Sequence, residues 1–368
     1  MASTRDSVYN RMVRGLSGAV LSDLRPPNPP FVPGFADVLV KNVRHLGSYS
    51  WTDDIEPTVL VPGSPRIWTD RAVPFPLPLS SAAPSTDKWR AHDARGPFGF
   101  APLFAALDAQ HARVAWPEID VLVDRATLRK LLAWLSRSAY GRTFRLDLLP
   151  VGERGMLLNR WEEADAWDGQ ADDFCGMKTV VRYEVDACVP ADDVQTPENA
   201  FRPIPDDSSA STTVFDTPGQ PSGTHIKVVR TGAGVPQDAL VELKSLQMAS
   251  SGVWWTAVLP QMYLSATPHL YVGLHTQGAV VRVEKHIVDD KTVFETQPRL
   301  AERLRQLGQL LRTLRHLAQT VGRVVPLSVV GHKGELRLYE RLSEEGMWVL
   351  PEEEQKRFVK DSKETTNP

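Results

Sequence analysis

Two short stretches carry side chains suited to chemistry. In Tyr183-Glu184-Val185-Asp186-Ala187 the acids stand two apart. Side chains alternate along an extended segment, so both carboxylates emerge on one face while Val185 turns to the core. Val241-Glu242-Leu243-Lys244 repeats that spacing, with Val241 and Leu243 turned inward. Brought together, the two faces would set three carboxylates beside one ammonium. Crowded carboxylates repel unless a divalent cation lies among them, and hard oxygen donors suit Mg²⁺ or Mn²⁺. A Glu-x-Lys pair alone is a weak signal, because any amphipathic strand produces it by chance. An exposed strand edge is the plainer reading.

Other candidates weigh less. The nine histidines show no His-x-x-x-His spacing, and Thr231-Gly232-Ala233-Gly234 lacks the context of a phosphate loop. No nucleophile elbow occurs. Trp254 and Trp255 suit a core or a base-stacking surface. Cys188 would share the polar face of Glu184 and Asp186, yet thiolate is a poor ligand for Mg²⁺.

The elements that must position these groups follow from periodicity. Ile119 to Val123 reads as a strand, and Asp124 as the cap of a helix carrying Leu128, Leu131, Leu132 and Leu135. Phe144–Leu149 and Met156–Trp161 form a hairpin pair. Val180–Val189 alternates as one long strand, and Leu240–Ser245 is a second. A Trp-rich helix precedes strands at about 269–275 and 279–285, joined by Thr276-Gln277-Gly278. Leucines at alternating four and three predict a helix over 300–320, with Arg299, Arg303, Arg305, Arg312 and Arg315 on its other faces. A solvated basic face is the ordinary reading; a phosphate-facing surface is the other. A last strand spans Glu335–Tyr339.

The chain has 368 residues, 42% hydrophobic and 24% charged, a globular mix that excludes wholesale disorder. A net charge of −3 excludes a charge-driven nucleic-acid binder of the histone type, though not a local basic groove. No apolar run approaches the roughly 18 residues of a membrane span. Two cysteines without a Cys-x-x-Cys pair exclude a disulfide framework and favour a reducing compartment. With no apolar core after the first charges, the expected location is intracellular, nuclear or cytoplasmic. Fifteen of the 29 prolines precede residue 120, so that third should wrap the body in extended segments. The expected organisation is a flexible segment 1–35, a single domain 36–343 with a mobile insertion at 190–223, and a charged tail 344–368.

The motifs also stand in a familiar order. Val241-Glu242-Leu243-Lys244-Ser245 resembles the Val-Glu-Leu-Lys-Thr motif of the decapping exoribonuclease (DXO) family, enzymes that hydrolyse defective RNA 5′ ends. Val123-Asp124-Arg125-Ala126-Thr127-Leu128 resembles its arginine motif, and Tyr183-Glu184-Val185-Asp186 its Glu-x-Asp motif. Pro260-Gln261-Met262-Tyr263, followed by Ala266-Thr267-Pro268, is similar to its glutamine helix. Leu46-Gly47-Ser48-Tyr49-Ser50-Trp51 sits where the family opens. The match spans roughly residues 45–340 and is that of a divergent, fungal-type member.

The resemblance implies a mixed α/β, PD-(D/E)XK-like sheet flanked by helices, and a metal-dependent hydrolase acting on RNA. Glu184, Asp186 and Glu242 would bind one or two Mg²⁺ or Mn²⁺ ions with the Leu243 carbonyl. Lys244 and Gln261 would position the nucleophile, and Arg125 would hold an RNA phosphate. RNA and a 5′-3′ exoribonuclease are the implied partners. The family's Gly-Tyr-Lys-Phe-Glu helix, whose glutamate joins the metal site, has its nearest fit in Gly169-Gln170-Ala171-Asp172-Asp173. Asp173 then stands in the glutamate's place, with Glu162, Glu163 and Asp165 as rivals. That departure leaves a second implication, an RNA-binding or scaffold protein that keeps the fold without full catalysis.

Overall fold

The run Val121-Leu122-Val123 is buried on both faces, which requires a covered sheet. The computed structural model describes residues 4–30, 32–52, 54, 56–77, 99–137, 143–161, 168–190, 226–250, 252–342 and 350–359. The proposed insertion and the rivals Glu162, Glu163 and Asp165 therefore lie outside the described residues, apart from Pro190.

The N-terminal third contains α1 (Thr4–Met12), β1 (Leu16–Leu24), β2 (Lys41–Gly47), β3 (Ser50–Trp51), β4 (Thr58–Val61), β5 (Phe75–Pro76) and α2 (Ala101–Ala109). The middle holds β6 (Val121–Asp124), α3 (Arg125–Leu135), β7 (Thr143–Val151), β8 (Gly155–Trp161), β9 (Asp168–Phe174), β10 (Met177–Tyr183), β11 (Ala187–Cys188) and β12 (Lys227–Arg230). There follow β13 (Leu240–Gln247), α4 (Trp255–Tyr263), β14 (His269–Thr276), β15 (Ala279–Ile287), α5 (Asp290–Thr296) and α6 (Leu300–Thr320). The chain ends with β16 (Leu327–His332), β17 (Glu335–Arg341) and α7 (Glu352–Lys356).

Among the described residues, a nine-stranded sheet runs β1-β17-β16-β7-β8-β6-β10-β9-β2 and a five-stranded sheet runs β11-β13-β14-β15-β5. Both are mixed: β6 lies parallel to β8 and β10, and β13 parallel to β14. Between the sheets lies one core, in which Val123, Leu158 and Val181 of the large sheet and Leu270 and Val272 of the small one share side chains of α3, α4 and α6. The outer face of the large sheet, with Leu122, Leu157 and Val180, packs against α2, Tyr49, Val59 and Phe358. The Pro-rich third supplies both edges of the large sheet, β1 and β2, and one edge of the small one, β5.

Several expectations are corrected. The long strand Val180–Val189 does not exist: β10 ends at Tyr183 and β11 starts at Ala187 in the other sheet. The physical reason is a lack of partners. Arg182 pairs with Asp124, where β6 gives way to α3, and Tyr183 pairs with Asp168, the first residue of β9. Asp124 does stand at the start of α3, but its carboxylate accepts from Arg182 Nε at 2.6 Å and caps nothing. Cys188 is buried in a small cluster with Val189 and Val241. The arginines of α6 are largely spent on the protein itself: Arg305 is bidentate with Asp37, Arg312 donates to the Cys175 carbonyl, and Arg315 pairs with Asp120. Within the segment expected to be flexible, β1 pairs with β17 as an edge strand. In the expected tail, Leu350 and Phe358 are buried beside α7.

Candidate metal centre at the crossing between the sheets

The three residues Glu184, Val185 and Asp186 carry the chain from one sheet to the other. The crossing brings the two acidic stretches together, because β11 then pairs with the start of β13, Ala187 opposite Val241. Beyond that pair β13 has no described neighbour on this side, so the Leu243 N–H is left for a side chain. It donates to Asp186 Oδ2 at 2.8 Å. A strand residue directs its N–H and C=O to the same side, so the Leu243 carbonyl faces Asp186 as well.

Glu242 is the centre of the cluster and is almost wholly buried. Its Oε1 accepts from Lys244 Nζ and from Gln261 Nε2 on α4, and its Oε2 faces Arg125 Nη1 at 3.4 Å. Arg125, the first residue of α3, also donates to Ser265 Oγ at 3.0 Å and to the Glu184 carbonyl at 3.2 Å. Its guanidinium stands 5.4 Å from the centre of the Tyr183 ring. Arg125, expected to hold an RNA phosphate, is buried and ties together three segments that build the site. Lys244 is placed otherwise: its side chain is 32% exposed against 3% for Glu242.

Asp186 registers the crowding. Its carboxyl is pushed up to about 6 by desolvation first, then by Glu242, with Glu184 adding to the rise, while the Leu243 N–H and Lys244 pull it down. Asp186 is exposed as a residue, so the neighbouring negative charges act on it beside the desolvation.

Arg125, Glu184, Asp186, Glu242, Leu243, Lys244 and Gln261 therefore converge. Asp173 does not. It lies on β9 opposite Lys178, whereas Glu184 follows Tyr183, which pairs with Asp168. Five residues of strand, roughly 16 Å, separate the two positions. The local sequence folds as a hairpin strand and not as a helix, because Cys175 and Gly176 adopt φ of 50° and 71° and close a tight turn.

Sequence reasoning missed Ser265 and Gln237. Gln237 Nε2 donates to the Ser265 carbonyl at 2.8 Å, and Tyr183 Oη donates to Gln237 Oε1 at 3.0 Å, so the two fix the walls around Arg125. The signal that could have found them was a run of polar residues, Ser265 and Thr267, next to an apolar helix end.

The donors are carboxylates and a carbonyl, the hard oxygens that suit a divalent cation, and their mutual repulsion at Asp186 is what such an ion relieves. Among the described residues no three acidic, His or Cys side chains are gathered closely enough to hold an ion as they stand. Glu242 is turned to Lys244, Gln261 and Arg125, so an ion would share its carboxylate with these three partners.

A pair of mixed sheets with two acidic stretches meeting at the crossing between them is an architecture shared with solved structures. Scheffersomyces stipitis Rai1 in complex with 3′-NADP⁺ and a calcium ion matches with a TM-score of 0.54 at 11% identity, over 88% of this chain and 96% of that one. Candida albicans Rai1 in complex with pU5 and Mn²⁺ matches with a TM-score of 0.51 at 10% identity, over 87% and 95%. The resemblance to the decapping exoribonucleases thus holds for the fold. The chain belongs to the family described as a domain of unknown function (DUF8563), whose model matches residues 37–167 and 173–358. No curated protein matches the sequence.

Proposed function

We propose that the chain is a divalent-metal-dependent hydrolase of phosphoester or pyrophosphate bonds at RNA 5′ ends. The observation that carries the reading is the meeting of Glu184 and Asp186 with Glu242 and Lys244 at the crossing, a convergence of residues 57 apart in sequence at the Asp186–Leu243 hydrogen bond. Glu184, Asp186, Glu242 and the Leu243 carbonyl would hold one or two Mg²⁺ or Mn²⁺ ions, which supply Lewis acidity and positive charge at the phosphate. Lys244, the more accessible of the two cations around Glu242, balances charge and orients the attacking water. Gln261 shares the same oxygen of Glu242 and sets the other flank. Arg125 acts by holding Glu242 and the Glu184 backbone in place. Among the described residues no helix is long and apolar enough to cross a membrane.

The test is incubation of the pure protein with RNAs bearing monophosphate, triphosphate, unmethylated-cap and NAD 5′ ends, with Mn²⁺ or with EDTA. Cleavage of at least one, abolished by EDTA, is expected; no cleavage of any contradicts the reading. Two observations favour a second reading, an RNA-binding scaffold: Glu242 is already paired with Lys244 and Arg125, and Asp173 stands on β9 five residues along from the strand end beside Tyr183.

A further inference from the structure

The outer face of the large sheet turns from apolar to polar along β7 and β8. Beyond Leu149 and Leu157, which pack in the outer core, the same face carries Asp147 and Arg145 on β7 and Asn159 on β8. Side chains two apart along a strand share a face, and directly opposed residues of paired strands do too. Asp147 stands opposite Asn159 on one side and Ser328 of β16 on the other. All four residues are buried, as is Arg341 at the end of β17.

The charges in this cluster do not balance. The Asp147 carboxylate accepts from Arg145 Nε at 2.9 Å, Arg341 Nη1 at 3.0 Å and Ser328 Oγ at 2.5 Å. Arg145 Nη1 donates to the carbonyls of Arg14 at 2.9 Å and Met12 at 3.4 Å, both neutral acceptors. Among the described residues no second carboxylate reaches either guanidinium. Two buried cations therefore share one buried anion, and an uncompensated buried charge is strongly destabilising.

Two donors also stand idle. Arg341 Nε and Asn159 Nδ2 are buried and have no hydrogen-bond partner. Arg341 touches Asp147, and the Cβ atoms of opposed residues such as Asp147 and Asn159 lie about 5 Å apart, so both idle donors surround the same carboxylate. A water would supply an acceptor but no charge; an anion supplies both.

We propose that this cluster binds a small inorganic anion of the size of chloride, held by Arg341 Nε and Asn159 Nδ2. The anion balances the second guanidinium and, through the Arg145 contacts with the Met12 and Arg14 carbonyls, steadies the chain between α1 and β1. The site is independent of the metal centre and of any activity there.

The test is melting of the full chain in EDTA at neutral pH and constant ionic strength, with chloride replacing gluconate, an anion too large for a buried site. Wild type should melt higher as chloride rises, following mass action, and should broaden the chloride NMR line. Asn159→Asp sets a second carboxylate in the cluster, so its melting should be indifferent to chloride and its line broadening should fall to background. Asn159→Leu removes one donor and should weaken chloride by about tenfold or more, which keeps the comparison open if the aspartate variant does not fold. Arg282→Gln, which removes an exposed cation of β15, should respond as wild type does. Wild-type melting indifferent to chloride, the result expected if water alone fills the cluster, overturns the proposal. So does a chloride response that survives unchanged in the Asn159 variants, or one that Arg282→Gln abolishes.

Discussion

At the residue scale, Asp186 and Arg125 decide how the site behaves. The Asp186 carboxyl is raised from its ordinary 3.8 to about 6, so the folded chain holds that proton more tightly than the unfolded one. Its contribution to stability therefore falls as pH rises from about 4 through about 6. Asp186→Asn removes the charge and keeps an oxygen to accept from Leu243 N–H. In EDTA the variant should melt above wild type at pH 7.5, with the advantage gone below pH 4; an equal difference at both pH values contradicts the crowding. Arg125→Ala, in contrast, leaves a buried Glu242 with one cation fewer. Removing one partner of a buried pair costs about 3–5 kcal/mol, and Lys244 and Gln261 should keep the loss near the lower end. Urea denaturation measures it, and a loss under about 1 kcal/mol would show that Arg125 ties nothing together.

At the scale of elements, α6 packs against the turn between β9 and β10 because Gly308 has no side chain. A Cβ there would meet Cys175 Cβ at 2.7 Å and Sγ at 2.8 Å. Alanine is the better helix former by about 1 kcal/mol, yet overpacking costs about 1–3 kcal/mol. Gly308→Ala is expected to destabilise overall; a raised melting temperature would show that the packing yields freely. This helix was legible in full: its leucine spacing predicts 300–320, and Leu300–Thr320 is found. The hairpin of β14 and β15 was equally legible, because Thr276-Gln277-Gly278 is a turn signal flanked by alternating strands. Illegible was whatever depends on a neighbour. Alternation at 180–189 cannot tell that β6 and β9 run out beside Tyr183, so the pattern reads as one strand where the chain changes sheets. The same limit places Asp173 at the site, since nothing local reveals which end of β9 it occupies. Asp186 nonetheless meets the Leu243 N–H and lies within the influence of Glu242, Lys244 and Glu184, because the crossing ends beside the start of β13.

At the scale of the molecule, the end of the chain closes the outer core. Leu350 and Phe358 are buried, Phe358 packs edge-on against Trp116 with ring centres 5.2 Å apart, and Arg357 reaches Asp108 of α2. Composition alone reads this segment as a charged tail, because its two anchors are outnumbered by acids and lysines. Burying a large apolar side chain contributes about 1.5–3 kcal/mol. Truncation after Leu342 should therefore lower the unfolding free energy by several kcal/mol in urea; a truncated chain as stable as wild type contradicts the docking.

Whether the crossing between the sheets holds a divalent ion for hydrolysis is tested most directly by Mn²⁺-dependent melting of three proteins. A bound ion stabilises by mass action. Wild type should gain melting temperature with Mn²⁺, Asp186→Asn should gain little, and Lys244→Ala should gain nearly as much as wild type while losing RNA hydrolysis by orders of magnitude. A wild-type melting temperature indifferent to Mn²⁺ at millimolar concentration would contradict a metal centre at the crossing.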